Sequence, residues 1–268
     1  MSKIAIIGGT GVYNPGILED VREQVLENDY GQARVAIGTY EGMEVAFLAR
    51  HGAGHSVPPH LINYRANIFA LHLLGVERII ATAAVGSLNP NMKPGDFVLV
   101  DQFLDFTRGR ESTFYDGDTH GVIHCDMTVP YCKELRAVLG KVAVGQGIPV
   151  HQGGVYVCAE GPRFETAAEI RMYRQLGGDV VGMTSVPECV LARELGICYA
   201  CVGAVTNYAA GIAPAKLTHS EVVELMGANA AHTRKLLMNT LALISEARGC
   251  GCDDILREIE KLQQMKKG

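Results

Sequence analysis

Six short stretches of this chain place reactive or ligand-reading side chains where an apolar run ends. In Ala159-Glu160-Gly161-Pro162-Arg163-Phe164-Glu165-Thr166, an aromatic ring stands beside a carboxylate just after the run Gly154–Cys158. Phe164 can stack on a flat heterocycle, and Glu165 can accept a proton from its edge; the same residues also fit a capped helix start with Phe164 in the core. Arg50-His51-Gly52 follows another apolar run, and a guanidinium offers planar, permanently charged donors for an oxyanion such as phosphate. Gly8-Gly9-Thr10-Gly11 lets main-chain N–H groups approach an anion and adds the Thr10 hydroxyl, or forms a tight turn. It lacks the third glycine of a dinucleotide fingerprint, and Asn14-Pro15-Gly16 turns the chain where a helix would have to follow. Ala81–Pro90 and Val181–Glu188 add small or hydroxyl residues at two more strand ends, with Thr184 ending its strand and Pro187 early in the next helix. In Ala204–Gly211, Asn207 offers a donor and an acceptor in one planar amide, able to read a heterocycle edge or to cap loop backbone. Together the glycine, arginine and threonine strand ends point to one anion site at the C-terminal edge of a sheet.

Other chemistries find less support. His51 and His55 are four apart, but glycines separate them and the HExxH pattern is missing, so no zinc site is expected there. There is no GxSxG serine and no Walker loop. The eight cysteines contain one CxxC spacing, Cys198 to Cys201, inside an apolar run and with no second such pair, which does not support a zinc ribbon. Cys158, Cys198 and Cys201 lie in apolar runs as small buried hydrophobes, and the close pair Cys250-Gly251-Cys252 allows a disulfide but reads, for a cytoplasmic protein, as a reduced, inert pair.

The elements that must carry these residues are apolar runs at Ile4–Gly8, Arg34–Thr39, Glu44–Ala49, Arg78–Ala84, Asp96–Gln102, Gly154–Cys158, Asp179–Met183 and Cys198–Thr206. Helical patterns alternate with many of them. Ile62, Ala66, Phe69, Ala70 and Leu73 share one helix face, Val190, Ala192 and Leu195 follow Pro187, and Thr218 can cap a helix reaching about Arg248. Near-continuous apolar strands alternating with helices predict an α/β fold with a largely parallel sheet covered on both faces. Nothing divides the 268 residues, so one domain, 1–268, is expected, with 253–268 as a C-terminal surface helix carrying Ile255, Ile259 and Leu262. Asp105–Tyr131 is a long irregular segment of the kind that serves a site or an interface, and it carries His120 and His124.

A net charge of −5 with no dense basic run disfavours nucleic acid and anionic membranes as partners. No apolar run reaches membrane-spanning length, and the N-terminal apolar stretch is too short for a signal peptide, so a cytoplasmic location is expected.

In their order along the chain, Gly8-Gly9-Thr10-Gly11, Arg50-His51-Gly52, Asn63-Tyr64, Gly86-Ser87-Leu88, Glu160–Thr166, Gly182–Glu188 and Thr206-Asn207 resemble the trimeric nucleoside phosphorylases, the family of purine nucleoside phosphorylase and S-methyl-5′-thioadenosine phosphorylase. The resemblance implies a mixed, twisted sheet flanked by helices and a reversible phosphorolysis of nucleosides to free base and sugar 1-phosphate. It implies phosphate as co-substrate with no metal or organic cofactor, and a homotrimer or a dimer of trimers. It puts phosphate on Thr10, Arg50, His51, the Ala83–Ala84 backbone and Thr184, with Met183 against the ribose and Phe164 against the base. Where adenine-specific members carry Asp-x-Asp, this chain has Asn207-Tyr208-Ala209, and Glu165 with Asn207 is similar to the base site of 6-oxopurine enzymes. Glu165, Asn207 and His51 are thus the expected catalytic residues. His219 matches a histidine near the sugar 5′-hydroxyl, and His124 is placed to reach a neighbouring subunit's sugar site. The implied substrates are inosine and guanosine. S-methyl-5′-thioinosine (or thioadenosine) is the alternative, and a non-catalytic nucleotide-binding module a more distant one.

Overall fold

The computed structural model describes residues 3–8, 18–117, 121–212 and 219–265. Its eleven described strands form one mixed sheet: β1 (Lys3–Gly8), β2 (Glu19–Asn28), β3 (Gly31–Tyr40), β4 (Met43–Ala49), β5 (Val76–Ser87), β6 (Phe97–Leu99), β7 (Gln102–Phe106), β8 (Val150–His151), β9 (Val155–Ala159), β10 (Val180–Gly182) and β11 (Cys198–Tyr208). Six helices flank it: α1 (Tyr64–Leu73), α2 (Lys133–Gly145), α3 (Ala167–Gln175), α4 (Ser185–Glu194), α5 (His219–Leu241) and α6 (Asp254–Met265).

β1 shows why the sheet is central. Ile4, Ala5, Ile6 and Ile7 are all buried, because helices cover both faces. Ile4 and Ile6 join a core shared with Leu135 and Leu139 of α2 and with Leu236 and Leu241 of α5. Ala5 and Ile7 face the opposite core, with Ile68 and Leu71 of α1 and Leu191 of α4. The period-2 alternation of a strand thus feeds two cores from one uninterrupted apolar run.

The sheet runs β2-β3-β4-β1-β5-β10-β9-β7, and β11 lies against β5 and β6. β1 pairs in parallel with β5 only as far as Ala81, whereas β10 joins β5 antiparallel at Gly86 and Ser87. β11 runs parallel to β5 along the other edge from Arg78 to Ser87. Among the described residues, 82–85 therefore have no strand partner on the edge that β1 has left. Ala84 is the single exposed residue of β5. The parting of β1 from β10 opens the sheet where the small residues Ala83 and Ala84 lie.

The structure also departs from the sequence pattern. Asp96–Gln102 is not one strand: β6 ends at Leu99, and β7 starts at Gln102 and pairs in parallel with β9. β2 is additional, a largely exposed strand in antiparallel register with β3. On α1 the buried face is Tyr64, Ala66, Ile68, Ala70 and Leu71, while Leu73 at the last turn is exposed. α5 ends at Leu241, short of Arg248, and Thr218 lies outside the described residues. α6 buries Ile255 and Ile259 but leaves Leu262 exposed.

Candidate active site

Arg50 follows β4 directly, and its N–H donates to the Gly8 carbonyl (3.1 Å), which holds it level with the end of β1. Its side chain turns inward and is buried. Nε and Nη2 donate to the two oxygens of Glu188, each at 2.7 Å, and Nη1 donates to the Thr82 carbonyl at 2.9 Å. Burial works against the charge, but the Glu188 carboxylate more than offsets it and raises the Arg50 pKa. Of five N–H groups, three are engaged, leaving one on each terminal nitrogen for an anion. Glu188 Oε1 also accepts from the Tyr199 hydroxyl (2.7 Å). The guanidinium is therefore locked in one orientation beside the unpaired segment of β5.

His51 Nδ1 lies 2.9 Å from the Val57 carbonyl, which can only accept, so this nitrogen carries the proton. Its ring stacks on His55 with centroids 4.0 Å apart. Burial pushes the His51 pKa down to about 4, with Arg50 and His55 adding to the effect against the favourable bond to Val57. The ring is neutral at physiological pH, and Nε2 is an acceptor there. Gly8, Arg50, His51, Gly52, His55 and Val57 all border one cavity. The unfolded chain takes up this proton first, near pH 6.5, so the His51 contribution to stability is complete above about 6.5 and is lost progressively down to about 4. A ¹H–¹⁵N titration of the ring is expected to show no protonation of His51 above pH 5; a midpoint near 6.5 would contradict this environment.

Thr184 stands between β10 and α4, buried, with its side chain making no capping bond. Its N–H donates to the Tyr156 hydroxyl (3.2 Å). Arg110, from the long irregular segment, fixes this corner. Nη1 donates to the carbonyls of Met183 and Val186 (both 2.8 Å), and Nη2 donates to that of Glu160 (2.7 Å). One guanidinium thus ties the Glu160–Glu165 loop to the start of α4. Gly161, at φ +70°, lies so close to Met183 that a Cβ would come within 2.5 Å of its sulfur. A side chain there would displace Met183.

The loop after β9 separates two neighbouring acids. Thr166 caps α3 in a capping box with Glu169, which also pairs with Arg163 (2.9 and 2.7 Å). Glu165 takes no part in the cap. It is buried, its Oε1 has no hydrogen-bond partner, and burial raises its pKa, with nearby Glu169 acting in the same direction. Phe164 is 39% exposed, which sets aside a place for it in the core.

Asn207 sits at an irregularity in the β11–β5 register, opposite Gly86, where a Cβ would lie 3.0 Å from Nδ2. Its Oδ1 accepts from the Thr206 hydroxyl (2.8 Å), and Nδ2 donates to the Tyr208 carbonyl (2.9 Å), leaving one N–H. Ala209 is buried and donates its N–H to the Ser87 carbonyl (2.8 Å). Gly211 approaches Ala167 so closely that a Cβ would fall within 2.8 Å, so this loop packs against the start of α3 next to Glu165.

The fold thus links Arg50, Thr82 and α4 through Glu188, and the Glu165 loop with Met183 through Arg110. Glu188, Arg110 and Tyr64, whose hydroxyl accepts from Arg110 (3.2 Å), are supporting residues to which the sequence patterns assigned no role, although Tyr64 and Glu188 lie within the quoted motifs. Thr10 lies outside the described residues. His219 opens α5, and its side chain is not among those described. His124 is exposed on the irregular segment and joins none of these contacts.

The Phosphorylase superfamily profile matches residues 3–242. The 6-oxopurine nucleoside phosphorylase of Pyrococcus furiosus is 58% identical over 263 residues, covering 96% of this chain and 98% of that protein. The S-methyl-5′-thioadenosine phosphorylase of the same organism is 51% identical over 259 residues, with 96% and 98% covered. Among solved structures, the methylthioadenosine phosphorylase of Schistosoma mansoni in complex with adenine superposes with a TM-score of 0.87 at 34% identity, covering 98% of this chain and 97% of that one. The chain belongs to the phosphorylase superfamily, within its family of purine nucleoside phosphorylases.

Proposed function

We propose that this chain catalyses the reversible, phosphate-dependent cleavage of 6-oxopurine nucleosides, inosine and guanosine, to free base and ribose 1-phosphate. The observation that carries this reading is the buried Oε1 of Glu165, which has no partner in the free protein. A buried acceptor without a donor is costly, and a ligand that brings one relieves it. Hypoxanthine and guanine present N1–H to such a carboxylate, and guanine adds its 2-amino group. Adenine presents a bare lone pair at N1, which faces the carboxylate unpaired.

Phosphate is held by the two spare N–H groups of Arg50, the Thr184 hydroxyl, the Ala83–Ala84 backbone at the sheet opening, and Thr10. Neutral His51 accepts the P–OH hydrogen of monohydrogen phosphate at Nε2, which turns the anionic oxygens toward Arg50. With Met183 against the ribose and Phe164 against the base, the C1′–N9 bond lengthens and its electron pair moves onto the purine. The remaining N–H of Asn207 donates to N7 or O6 as that charge builds, an interaction strongest in the transition state. The phosphate oxygen then closes on the cationic C1′. No covalent enzyme intermediate is formed, and positioning of charge supplies most of the acceleration. His219 serves the sugar 5′-hydroxyl, and His124 reaches a neighbouring subunit of a trimer or of a dimer of trimers.

The test is a panel of inosine, guanosine, adenosine and S-methyl-5′-thioinosine, each with and without phosphate. Hypoxanthine and guanine are expected to appear only with phosphate, with kcat/KM for adenosine lower by roughly 10⁴-fold. Adenosine turnover matching that of inosine would sink the base assignment, and a preference for the thioether substrate would reassign the 5′ pocket. Phosphate-dependent base release itself eliminates a binding-only module.

A further inference from the structure

At the other end of the sheet, four cysteines from three separate segments converge. Cys132 caps the N-terminus of α2, Cys198 opens β11, and Cys250 and Cys252 lie in the turn between α5 and α6. All four sulfurs lie within 4.8 Å of one another, and those of Cys198 and Cys250 are 3.3 Å apart. Cys132, Cys198 and Cys252 are buried and Cys250 is half-buried; all are free thiols.

We propose that Cys132, Cys198, Cys250 and Cys252 form a tetrathiolate site for one Zn²⁺ ion, which fastens the segment after α5 to the core. Four ligands around zinc at about 2.3 Å place their sulfurs roughly 3.8 Å apart, and here all four lie within 4.8 Å of one another, with Cys198 and Cys250 at 3.3 Å. Two disulfides would instead sort the sulfurs into pairs at about 2.0 Å, whereas here each sulfur has three close sulfur neighbours. A soft, all-sulfur, four-membered set selects zinc over magnesium or calcium. Binding forms four Zn–S bonds and releases the four thiol protons to solvent. The resulting centre is anionic, and its surroundings suit that charge. The Arg248 guanidinium faces Cys198, Arg193 faces Cys252, and Cys132 stands at the positive end of the α2 dipole.

The supporting contacts hold the three segments in register without the metal. Cys132 N–H donates to the Tyr199 carbonyl (2.8 Å), Gly249 N–H to Glu134 (2.8 Å), and Arg248 to the Gly196 carbonyl (2.9 Å). A Cβ at Gly251, between the paired cysteines, would lie 2.4 Å from the Asp254 carboxylate, so a side chain there would push Asp254 aside. A cavity lined by Cys132, Arg193, Cys250, Cys252 and Glu258 gives an ion a way in. The superfamily match stops at residue 242, so two of the four ligands come from a segment beyond it. Cys198 and Asn207 stand at opposite ends of β11, roughly 30 Å apart along an extended strand, which gives the ion no part in phosphorolysis.

The whole protein, purified without chelator and under reducing conditions, is to be analysed for metal and then titrated with Zn²⁺ and Co²⁺. One ion per chain is expected, and Co²⁺ should give thiolate-to-metal charge transfer and the intense d–d bands of a tetrahedral site. Cys250→Ser with Cys252→Ser should abolish both signals, while Cys125→Ser, outside the cluster, should retain them. Removal of the ion is expected to lower the thermal midpoint by roughly 5–10 °C, leaving kcat for inosine unchanged at a temperature where both forms are folded. The proposal is overturned if the reduced native protein binds neither ion. It is equally overturned if the isolated protein contains no metal and its mass shows the four hydrogens missing that two disulfides require.

Discussion

Replacing Glu165 with alanine is expected to lower kcat/KM for inosine by roughly 10²–10³-fold: a hydrogen bond to a charged group is lost, at about 1.5–3 kcal/mol, and the purine N1–H is buried unpaired, at about 1–3 kcal/mol more. The KM for phosphate should hardly move, because Arg50, His51 and Thr184 are untouched. Stability should not fall. Oε1 has no partner in the free protein and burial already disfavours its charge, so alanine removes an unsatisfied group, and the thermal midpoint should hold or rise. Glutamine separates shape from charge. Its amide can accept from N1–H of hypoxanthine, or donate to N1 of adenine while accepting from the 6-amino group. Glu165→Gln should therefore lose less on inosine than the alanine variant does and should gain on adenosine, narrowing the ratio between them. An alanine variant within threefold of the parent on inosine would show that Glu165 does not touch the base.

What the sequence reveals follows from where each interaction partner lies. Strand ends with small or hydroxyl residues are local features, and Thr184 and Arg50-His51 stood out as anion-binding candidates because each follows its own apolar run; Ala83-Ala84 lie inside β5, which continues to Ser87. Glu165 was visible as a candidate, but nothing local separates it from Glu169; only the fold shows that Glu169 closes the capping box while Oε1 of Glu165 is left without a partner. Glu188 reads locally as an ordinary first-turn acid, and its meaning comes from Arg50, 138 residues away. Arg110 is likewise one arginine in a polar segment until four backbone carbonyls surround it. β2 escaped notice because nearly all its residues are exposed and half are charged, with no alternation; its register is imposed by β3. The same limit hid the cysteine cluster: the pair at 250 and 252 is visible locally, but nothing in the sequence brings Cys132 and Cys198 to it.

The Arg50–Glu188 pair supports the largest expected effect on stability, and a double substitution separates that effect from catalysis. Both side chains are almost fully buried, and each depends on the other for its charge. Glu188→Leu leaves a guanidinium in the interior with only the Thr82 carbonyl, a loss of about 3–5 kcal/mol. Arg50→Met strands the carboxylate, with a cost of similar size and the loss of phosphate binding. Combining Arg50→Met with Glu188→Leu removes both charges, and buried pairs replaced by apolar groups of similar volume are often neutral in stability. Most of the lost thermal midpoint should therefore return, and the cycle should be strongly non-additive. Recovery will be more complete if Tyr199→Phe is added, because that hydroxyl otherwise loses its acceptor on Glu188. Activity should follow the opposite course. No combination lacking Arg50 can present two fixed N–H donors beside the open stretch of β5, so the restored protein should remain at least about 100-fold down in kcat/KM for phosphate, as expected for losing charge-assisted hydrogen bonds. Thermal unfolding and phosphate kinetics on the same four proteins decide this. If the stabilised double variant kept the parental KM for phosphate, the pair would be a packing device and the anion would have to bind elsewhere.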